Sequence, residues 1–227
     1  GIPTIGVTGT IDNDVTATDY TVGFDTAMNT VLNVLDKLRD TCESHARCNV
    51  VEVMGRDCGQ IALRAGIAAG AMAVAVPEVP FDEAQPIENI KIAKAQGKRG
   101  MIVVISEGVV NSDGSRFAEG FAKRIEEETG VETKFARLAH MVRGGHPTLR
   151  DRLTASRMGV KAVELLRRNG FEISDSALRE GLLSAEWQGR FEVLSKNPLV
   201  IFDGAHNPQG VEAAVESIAL YFKNKKV

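Results

Sequence analysis

Hydrophobic positions recur along the first three quarters of the chain with two alternating periods. Apolar spacings of three and four residues predict helices, and short runs of β-branched residues predict strands. The predicted helices cover residues 24–40, 57–71, 87–96, 116–129 and 149–168. The predicted strands are the β-prone run 2–7 and then 49–54, 73–76, 101–106 and 132–139, of which 101–106 is apolar enough to have both faces covered. Because strands and helices alternate, the predicted fold class is α/β, a mainly parallel sheet with flanking helices.

The last quarter of the chain predicts fewer elements. They are a short helix over 175–185 started by Ser174, a buried strand over 199–202, and a following helix capped by Asn207 with Pro208 at its first position. We therefore predict two regions, an α/β region over 1–169 and a short αβ piece over 170–227. Residues 24–141 should form one compact unit with at least four mainly parallel strands, and residues 173–227 should pack separately.

Composition excludes several classes of protein. The 227 residues are 44% hydrophobic and 25% charged, which is typical of a globular protein in water. A net charge of −3 gives no reason to expect nucleic acid or an anionic membrane as a partner. No apolar run is long enough to span a bilayer. The three cysteines form no C-x-x-C pair, and they predict reduced thiols in a cytoplasmic protein.

The stretch Thr10-Ile11-Asp12-Asn13-Asp14 is the main candidate for chemistry. It follows a predicted strand, and ligands of open α/β sheets bind at the carboxyl ends of strands. Of two neighbouring carboxylates there, one can take a proton while the other holds a metal ion. The alternative is a polar turn, because Asp and Asn are common turn residues.

Six separated motifs resemble those of bacterial ATP-type 6-phosphofructokinases. They are G-T-I-D-N-D at 9–14, T-D-Y-T-V-G-F-D-T-A at 18–27, S-H-A-R at 44–47, E-V-M-G-R-D at 52–57, S-E-G at 106–108 and H-M-V-R-G-G at 140–145. The resemblance covers about residues 1–169. It implies a glycolytic kinase that transfers a phosphoryl group from ATP, with Mg²⁺, to the 1-hydroxyl of fructose 6-phosphate, giving fructose 1,6-bisphosphate.

The same resemblance implies roles for individual residues. Asp12 resembles the general base, Asp14 the carboxylate that holds magnesium, and Thr10 a residue that positions them. Arg56 resembles the group that stabilises the phosphoryl in transfer. The implied sugar-phosphate contacts are Arg47, Met54, Gly55, Glu107, Lys134, His140 and Arg143. The family counterpart of Arg47 reaches into a neighbouring subunit, so the resemblance also implies a homo-oligomer.

Several positions depart from the family pattern. Lys134 stands where the family usually has Arg, and Lys lacks the planar fork that binds phosphate with two hydrogen bonds. His146 replaces a usual Ser and Val142 a common Gln, so we expect weakened sugar-phosphate binding. Gly9 stands where pyrophosphate-dependent relatives have Lys, which favours ATP as the donor. Arg39 and Lys98 resemble part of an effector site, but Met72 replaces an acidic residue there.

Residues 173–227 resemble a different family, the folylpolyglutamate synthases of the Mur ligase group. The motifs are G-R-F-E-V at 189–193 and L-V-I-F-D-G-A-H-N-P at 199–208. By this resemblance Arg190 contacts ATP phosphates, Asp203 holds the ribose, and His206 lies close by. The implied second alternative is an ATP-dependent ligase, and the structural alternative is a turn that starts a helix.

A non-catalytic chimeric or truncated α/β fragment is the first alternative to the kinase. The chain contains no G-x-x-x-x-G-K-[ST] phosphate loop, and the glycine-rich ATP segment of phosphofructokinases does not precede Gly1. We therefore expect the 227 residues by themselves to lack kinase and ligase activity.

Overall fold

A computed structural model describes residues 4–185, 192–204 and 208–222 of the chain. The chain divides into two compact units, Gly1–Ala155 and Ser156–Val227. One helix, Leu149–Arg168, begins in the first unit and continues in the second. The family boundary placed at residue 169 rests on resemblance alone and remains a prediction.

The first unit alternates short strands with amphipathic helices. Its elements are β1 Gly9–Thr10, β2 Val22–Gly23, α1 Phe24–His45, β3 Cys48–Val53, α2 Gln60–Ala68, β4 Ala73–Ala75, α3 Ala84–Ala95, β5 Met101–Ser106, α4 Ala118–Thr129, β6 Thr133–Arg137, a 3-10 helix Ala139–Arg143, and the start of α5 Leu149–Arg168. The predicted α/β class and the predicted bounds of α5 are confirmed.

Four parallel strands form the main sheet of the first unit, in the order β4-β5-β3-β6. The central strands β3 and β5 are buried along their whole length. Such burial favours apolar side chains on both faces, which β5 shows at every position except Ser106 and β3 shows except at Asn49 and Glu52. The predicted parallel sheet of at least four strands is therefore confirmed.

Helices cover both faces of this sheet. On one face Phe24 and Leu35 of α1 and Ile61 of α2 pack against Val51 of β3. On the other face, α3 and α4 pack against the strands through residues that include Ile90, Phe121, Val50 and Val103. Side chains alternate along a strand, so neighbouring valines of β3 belong to opposite cores. The sheet is thus fixed from both sides, and its carboxyl edge can carry functional loops on a rigid base.

Most helix boundaries differ from the sequence prediction by a few residues. Helix α1 continues past residue 40 because Cys42, about one turn after Leu38, is still buried. Helix α3 begins at Ala84, three residues earlier than predicted, since a proline in the first helical turn is tolerated. Helix α2 begins only at Gln60, because the chain before it forms a turn in which the Cys58 amide donates to the Gly55 carbonyl at 2.9 Å.

The strand predicted over residues 2–7 is wrong for its described part, residues 4–7. These residues are exposed and lie outside any strand. The nearby pairing involves only Gly9 with Val22 and Thr10 with Gly23. A β-prone sequence forms a strand only where a neighbouring strand accepts its backbone hydrogen bonds, and β2 reaches no further.

The second unit contains the rest of α5, α6 Asp175–Leu183, an antiparallel hairpin of β7 Glu192–Lys196 and β8 Leu199–Phe202, and α7 Pro208–Tyr221. Ser174 caps α6 as predicted, accepting from the Ala177 amide at 3.1 Å. The prediction that 199–202 is a buried strand is wrong in its burial, because Val200 and Phe202 are 42% and 53% exposed in a two-stranded hairpin. Asn207, the predicted cap of α7, lies outside the described residues.

The predictions about membrane-spanning segments and about the cysteines can be compared with this fold. No helix in the described part of the chain is both long and apolar enough to cross a membrane. All three cysteines are free thiols, and burial raises the pKa of Cys48 to about 12.

Candidate functional site

The candidate site lies at the carboxyl ends of three strands of the main sheet, next to the β1–β2 loop. Residues 54–56 follow β3, Glu107 follows β5, and the 3-10 helix follows β6. Asp12 lies in the β1–β2 loop, close enough to feel the charges of Asp14, Arg56, Glu107 and Arg143. Tertiary structure thus brings together residues spread over 131 positions, at the sheet edge where α/β proteins bind ligands.

The loop between β1 and β2 is fixed by its own side chains. Asn13 has a positive φ of 56°, a conformation that Asn tolerates better than most residues. Its Oδ1 accepts a hydrogen bond from the Thr21 amide at 2.9 Å, and the Thr21 hydroxyl donates to the Thr10 carbonyl at 2.6 Å. These bonds tie both ends of the loop together, so Asp12 and Asp14 are held on a closed segment.

Asp12 is the buried carboxylate of this loop, with only 8% of its surface exposed. Its amide donates to Thr10 Oγ1 at 3.2 Å, which agrees with a positioning role for Thr10. Its Oδ1 atom is buried and has no hydrogen-bond partner among the described residues. A buried polar atom without a partner is costly, and at such a site it indicates a missing donor or cation.

Burial, more than any other cause, raises the pKa of Asp12 above its ordinary value. The neighbouring negative charge of Asp14 acts in the same direction, and Glu107 adds a smaller effect. The positive charges of Arg56 and Arg143 act in the opposite direction. A carboxylate with a raised pKa is a stronger proton acceptor, which is what a general base requires.

Glu107 shapes the loop that carries Arg56. Its Oε1 atom accepts from the amides of Gly55, at 3.1 Å, and Arg56, at 2.9 Å. Both residues have positive φ angles, 155° and 52°, which are unfavourable for a residue such as Arg. The carboxylate therefore stabilises a strained turn, and one oxygen of Glu107 is already committed to the loop before any sugar binds.

Gly108 is required at its position by close packing. A Cβ atom there would lie 2.3 Å from the Arg56 carbonyl oxygen, inside the contact distance of real atoms. We expect Gly108→Ala to lower the free energy of unfolding by about 1–3 kcal/mol, the usual effect of an overpacked site. Gly120, which is open within α4, is the matched control, and Gly120→Ala should raise it by about 0.5–1 kcal/mol. Urea unfolding of both variants measures the difference; equal effects would contradict the packing argument.

The 3-10 helix after β6 presents His140 and Arg143 at the rim of the site. Both side chains are exposed. Leu138 and Val142 are buried beside them and anchor the turn in the core. The Gly144 carbonyl at its end accepts from the Thr30 hydroxyl of α1 at 2.9 Å. The helix is therefore held by packing on its inner side while its two basic residues remain accessible.

Arg47 and Lys134 do not join this cluster. Arg47 precedes β3 while residues 54–56 follow it, and six strand residues span about 20 Å. Both cations contact Glu132, with Arg47 Nε 2.7 Å from Oε2 and Lys134 Nζ 3.0 Å from Oε1. The two residues therefore form a separate basic group at the amino edge of the sheet.

Sequence patterns did not single out Asp151, which organises the chain next to the site. It is only 4% exposed, and its carboxylate accepts from the amides of Gly23 at 3.0 Å and Thr26 at 2.8 Å, and from the Thr26 hydroxyl. It thereby caps α1, whose own N-cap residue offers no side-chain bond. The T-x-x-D spacing from Thr148 indicates a capping box, but such a box would predict a cap of α5 itself.

A pocket of about 410 Å³ lies away from Asp12, between α1 and α2. Apolar side chains dominate its lining, and Arg64 and Tyr20 border it. It contains no carboxylate and none of the predicted site residues. The candidate active site is therefore identified by the charged groups around Asp12, and not by this pocket.

The tail residues predicted by the ligase resemblance are only partly described. Arg190 and His206 lie outside the described residues. Asp203 directly follows β8 and is half-buried. The role of these three residues remains a prediction.

The raised pKa of Asp12 predicts how stability depends on pH. The folded protein holds this proton more tightly than the unfolded chain, where Asp titrates near 3.8. The stability that results is complete below that value and is lost as the pH rises through the raised pKa. Asp12→Asn should therefore be more stable than the wild type at neutral pH, and the advantage should disappear in acid.

Urea unfolding between about pH 4 and about pH 7.5 measures this advantage. Asp36→Asn, at an exposed position of α1, controls for the general effect of an Asp-to-Asn exchange on the free energy of unfolding. An advantage of Asp12→Asn that is constant across the range would contradict the raised pKa.

The described residues contain no group of three or more His, Cys, Asp or Glu that could hold a metal ion. Mg²⁺ does not require such a group, because it commonly uses one or two carboxylates together with waters and substrate phosphates. Asp14, an exposed carboxylate of the β1–β2 loop, meets that requirement. The residues present therefore fit a magnesium ion shared with a bound phosphate.

Comparison with known proteins gives one consistent family for this region. Residues 1–166 match the family profile described as "Phosphofructokinase". ATP-dependent 6-phosphofructokinase 1 of Clostridium perfringens is 54% identical over 166 residues, which are 73% of this chain and 50% of the relative. The chain thus spans about half the length of the curated relatives it matches. A phosphofructokinase structure from Saccharomyces cerevisiae matches with a TM-score of 0.63 and 28% identity, covering 96% of this chain and 27% of that one.

Similarity to the ligases is much weaker. A folylpolyglutamate synthase from L. casei matches with a TM-score of 0.26 and 12% identity, covering 88% of this chain and 76% of that one. These values carry no argument about fold. The predicted ligase origin of residues 173–227 is therefore not confirmed.

Proposed function

The chain belongs to the phosphofructokinase family, and from that premise we propose that residues 1–166 form the sugar-phosphate side of a 6-phosphofructokinase active site. The proposed reaction is transfer of the γ-phosphoryl group of ATP to the 1-hydroxyl of fructose 6-phosphate, in the cytoplasm. The observation that carries the proposal is the buried Asp12 carboxylate, with its unpartnered Oδ1 and raised pKa, within reach of the positive charges of Arg56 and Arg143.

Asp12 acts as the general base in this proposal. Its carboxylate accepts the proton of the sugar 1-hydroxyl as that oxygen attacks the γ-phosphorus, which makes the oxygen a better nucleophile. The bond between the γ-phosphorus and the bridging oxygen breaks, and ADP leaves with that oxygen. Burial supports this role, because it raises the affinity of the carboxylate for a proton. Thr10 holds the Asp12 backbone in place through its hydroxyl.

Positive charge around Asp12 serves the phosphoryl group. Phosphoryl transfer depends mainly on positioning and on neutralising charge. Arg56 is held at the rim by the Glu107 clamp, and Arg143 is presented by the 3-10 helix. Met54 and Gly55 line the approach beside Arg56, and His140 adds a further contact for the sugar phosphate. A magnesium ion held by Asp14 would neutralise charge on the phosphates.

Arg47 and Lys134 take part through a second copy of the chain. They lie at the opposite edge of the sheet from Asp12, so they cannot reach the same sugar phosphate within one chain. Placed at another copy's site, their two positive charges would contact its phosphate. The proposal therefore includes a homo-oligomer.

A coupled assay with ATP, Mg²⁺ and fructose 6-phosphate tests the activity, and calorimetry with fructose 6-phosphate tests the binding side alone. Binding of fructose 6-phosphate that is lost in Arg143→Met supports the proposal. Fructose without phosphate is the matched control ligand. No binding of fructose 6-phosphate by the folded chain would remove the proposal, and the non-catalytic alternative would then stand.

The ligase-like tail enters only as a secondary proposal. Its support is the motif resemblance of residues 189–193 and 199–208, with Arg190, Asp203 and His206 as the implied nucleotide contacts. ATP binding by the chain that Asp203→Ala abolishes, while Asp12→Asn does not, would support it. ATP binding insensitive to Asp203 would remove it.

A further inference from the structure

We propose that Glu52 is a positioning residue for the candidate site. It holds Arg137 and Arg116, and through them it fixes the 3-10 helix and the loop after β5 relative to the end of β3. The expected effect on sugar-phosphate binding rests on the proposed function. The expected effect on the position of Arg143 relative to Asp12 rests on the structure alone.

Glu52 is a charged residue inside the sheet. It is 3% exposed and lies next to the carboxyl end of β3. Its Oε1 atom accepts from Arg137 Nε at 2.6 Å and from Arg116 NH1 at 2.8 Å. A buried carboxylate is unfavourable unless it is paired, so these two guanidinium groups are required partners.

The two arginines belong to the two chain segments that follow neighbouring strands. Arg137 is the last residue of β6 and pairs directly with Glu52 across the sheet. Arg116 closes a short turn after β5 through a bridge to Val110. The carboxylate thus joins three segments, and each of them carries residues of the candidate site.

Backbone bonds show how short the connection to the site is. The Leu138 amide donates to the Glu52 carbonyl at 3.0 Å, and the 3-10 helix with His140 and Arg143 begins one residue later. The Glu107 amide donates to the carbonyl of Val53, the residue after Glu52, at 2.9 Å. Arg143 lies only six residues after Arg137, about two turns of a 3-10 helix. A shift of Arg137 would therefore also move Arg143.

Stability alone does not explain this arrangement. Arg137 and Arg116 have side chains 37% and 60% exposed, so water could solvate both cations if Glu52 were apolar. Replacing buried ion pairs by apolar groups is often neutral or stabilising. What a buried carboxylate with two partners supplies is a defined relative position of the segments that bear them.

The most specific consequence concerns the position of the 3-10 helix. The charge of Arg143 acts on Asp12, so the helix lies near the loop that carries this carboxylate. If Glu52 places the 3-10 helix, loss of Glu52 should move residues 141–144 relative to the end of β3. A role in stability alone would leave their position in the folded protein unchanged.

The test uses the 227-residue chain in four forms: wild type, Glu52→Gln, Arg137→Gln and the control Lys94→Met. Lys94 bonds to the carbonyls of Thr129 and Gly130 at the end of α4, away from the site, so its loss perturbs stability alone. The backbone amide signals of residues 141–144 are recorded by ¹H–¹⁵N NMR in each folded protein. Fructose 6-phosphate binding is measured by calorimetry in parallel.

We expect shifted amide signals for residues 141–144 in Glu52→Gln and Arg137→Gln, and unchanged signals in Lys94→Met. Fructose 6-phosphate affinity should fall about 10-fold to about 10²-fold in the first two, the loss that a displacement of about 1 Å can cause. Signals of residues 141–144 equal to those of the wild type overturn the inference, as does unchanged binding in a chain that binds the sugar. If Glu52→Gln does not fold, Arg137→Gln decides.

The two proposals fail in different ways. A wild-type chain that does not bind fructose 6-phosphate removes the proposed function. The amide signals of residues 141–144 alone then decide whether Glu52 is a positioning residue.

Discussion

Replacing Asp12 by Asn is expected to lower kcat about 10²-fold to about 10⁴-fold, the usual effect of losing a general base. The measurement requires a catalytically active protein that contains these residues. Asn has nearly the same shape but cannot take the hydroxyl proton, while Arg56 and Arg143 remain to bind the phosphate. The loss should therefore appear in kcat, and the affinity for fructose 6-phosphate should be kept.

Asp14→Asn is the matched comparison. Asp14 is exposed in the same loop, and the proposal gives it the magnesium side of the site. Its replacement should raise the Mg²⁺ concentration needed for half-maximal rate and change kcat at saturating Mg²⁺ much less. An Asp12→Asn protein with wild-type kcat would remove Asp12 as the base, and equal behaviour of the two variants would remove the division of roles between them.

Replacing Asp151 by Ala is expected to lower the free energy of unfolding by about 3 kcal/mol or more. The change removes the acceptor of the Gly23 and Thr26 amides and leaves the start of α1 without a cap. A hydrogen bond to a charged group contributes about 1.5–3 kcal/mol, and a lost cap costs about 1 kcal/mol. For a chain of this size the melting temperature should fall by roughly 6–12 °C.

Asp36→Ala is the control for this prediction, because Asp36 is exposed on the same helix. Its effect should stay within about 0.5 kcal/mol. Denaturant unfolding with circular dichroism measures both variants. An Asp151→Ala protein as stable as Asp36→Ala would mean that the carboxylate does not cap α1.

Local patterns determined the architecture of this protein to a large extent. Strand β5 is apolar at every position except its last, Ser106, and a short run of that kind favours a strand covered on both faces. The spacing of apolar residues in α5 predicted both of its ends. The motif around Asp12 also indicated the site, since strand ends with clustered polar residues are where α/β proteins bind ligands.

The failed strand over residues 4–7 shows where such patterns stop being informative. Ile5 and Val7 favour a strand by their side chains, but a strand also needs a neighbour that accepts its backbone bonds. Whether that neighbour is present depends on the rest of the fold. The exposure of Val200 and Phe202 in the hairpin has the same origin, because burial depends on what packs against a strand.

Only the tertiary structure decided which distant residues meet at the site. Asp151 caps a helix whose first turn lies 125 residues earlier in the chain, and Glu107 clamps amides 51 and 52 residues away. Glu52 gathers two arginines, although the sequence around it shows only a charge in an apolar strand. A periodic pattern records which face of an element is buried, and the sheet order decides which elements become neighbours. The partners of a buried charge therefore appear only once the chain has folded.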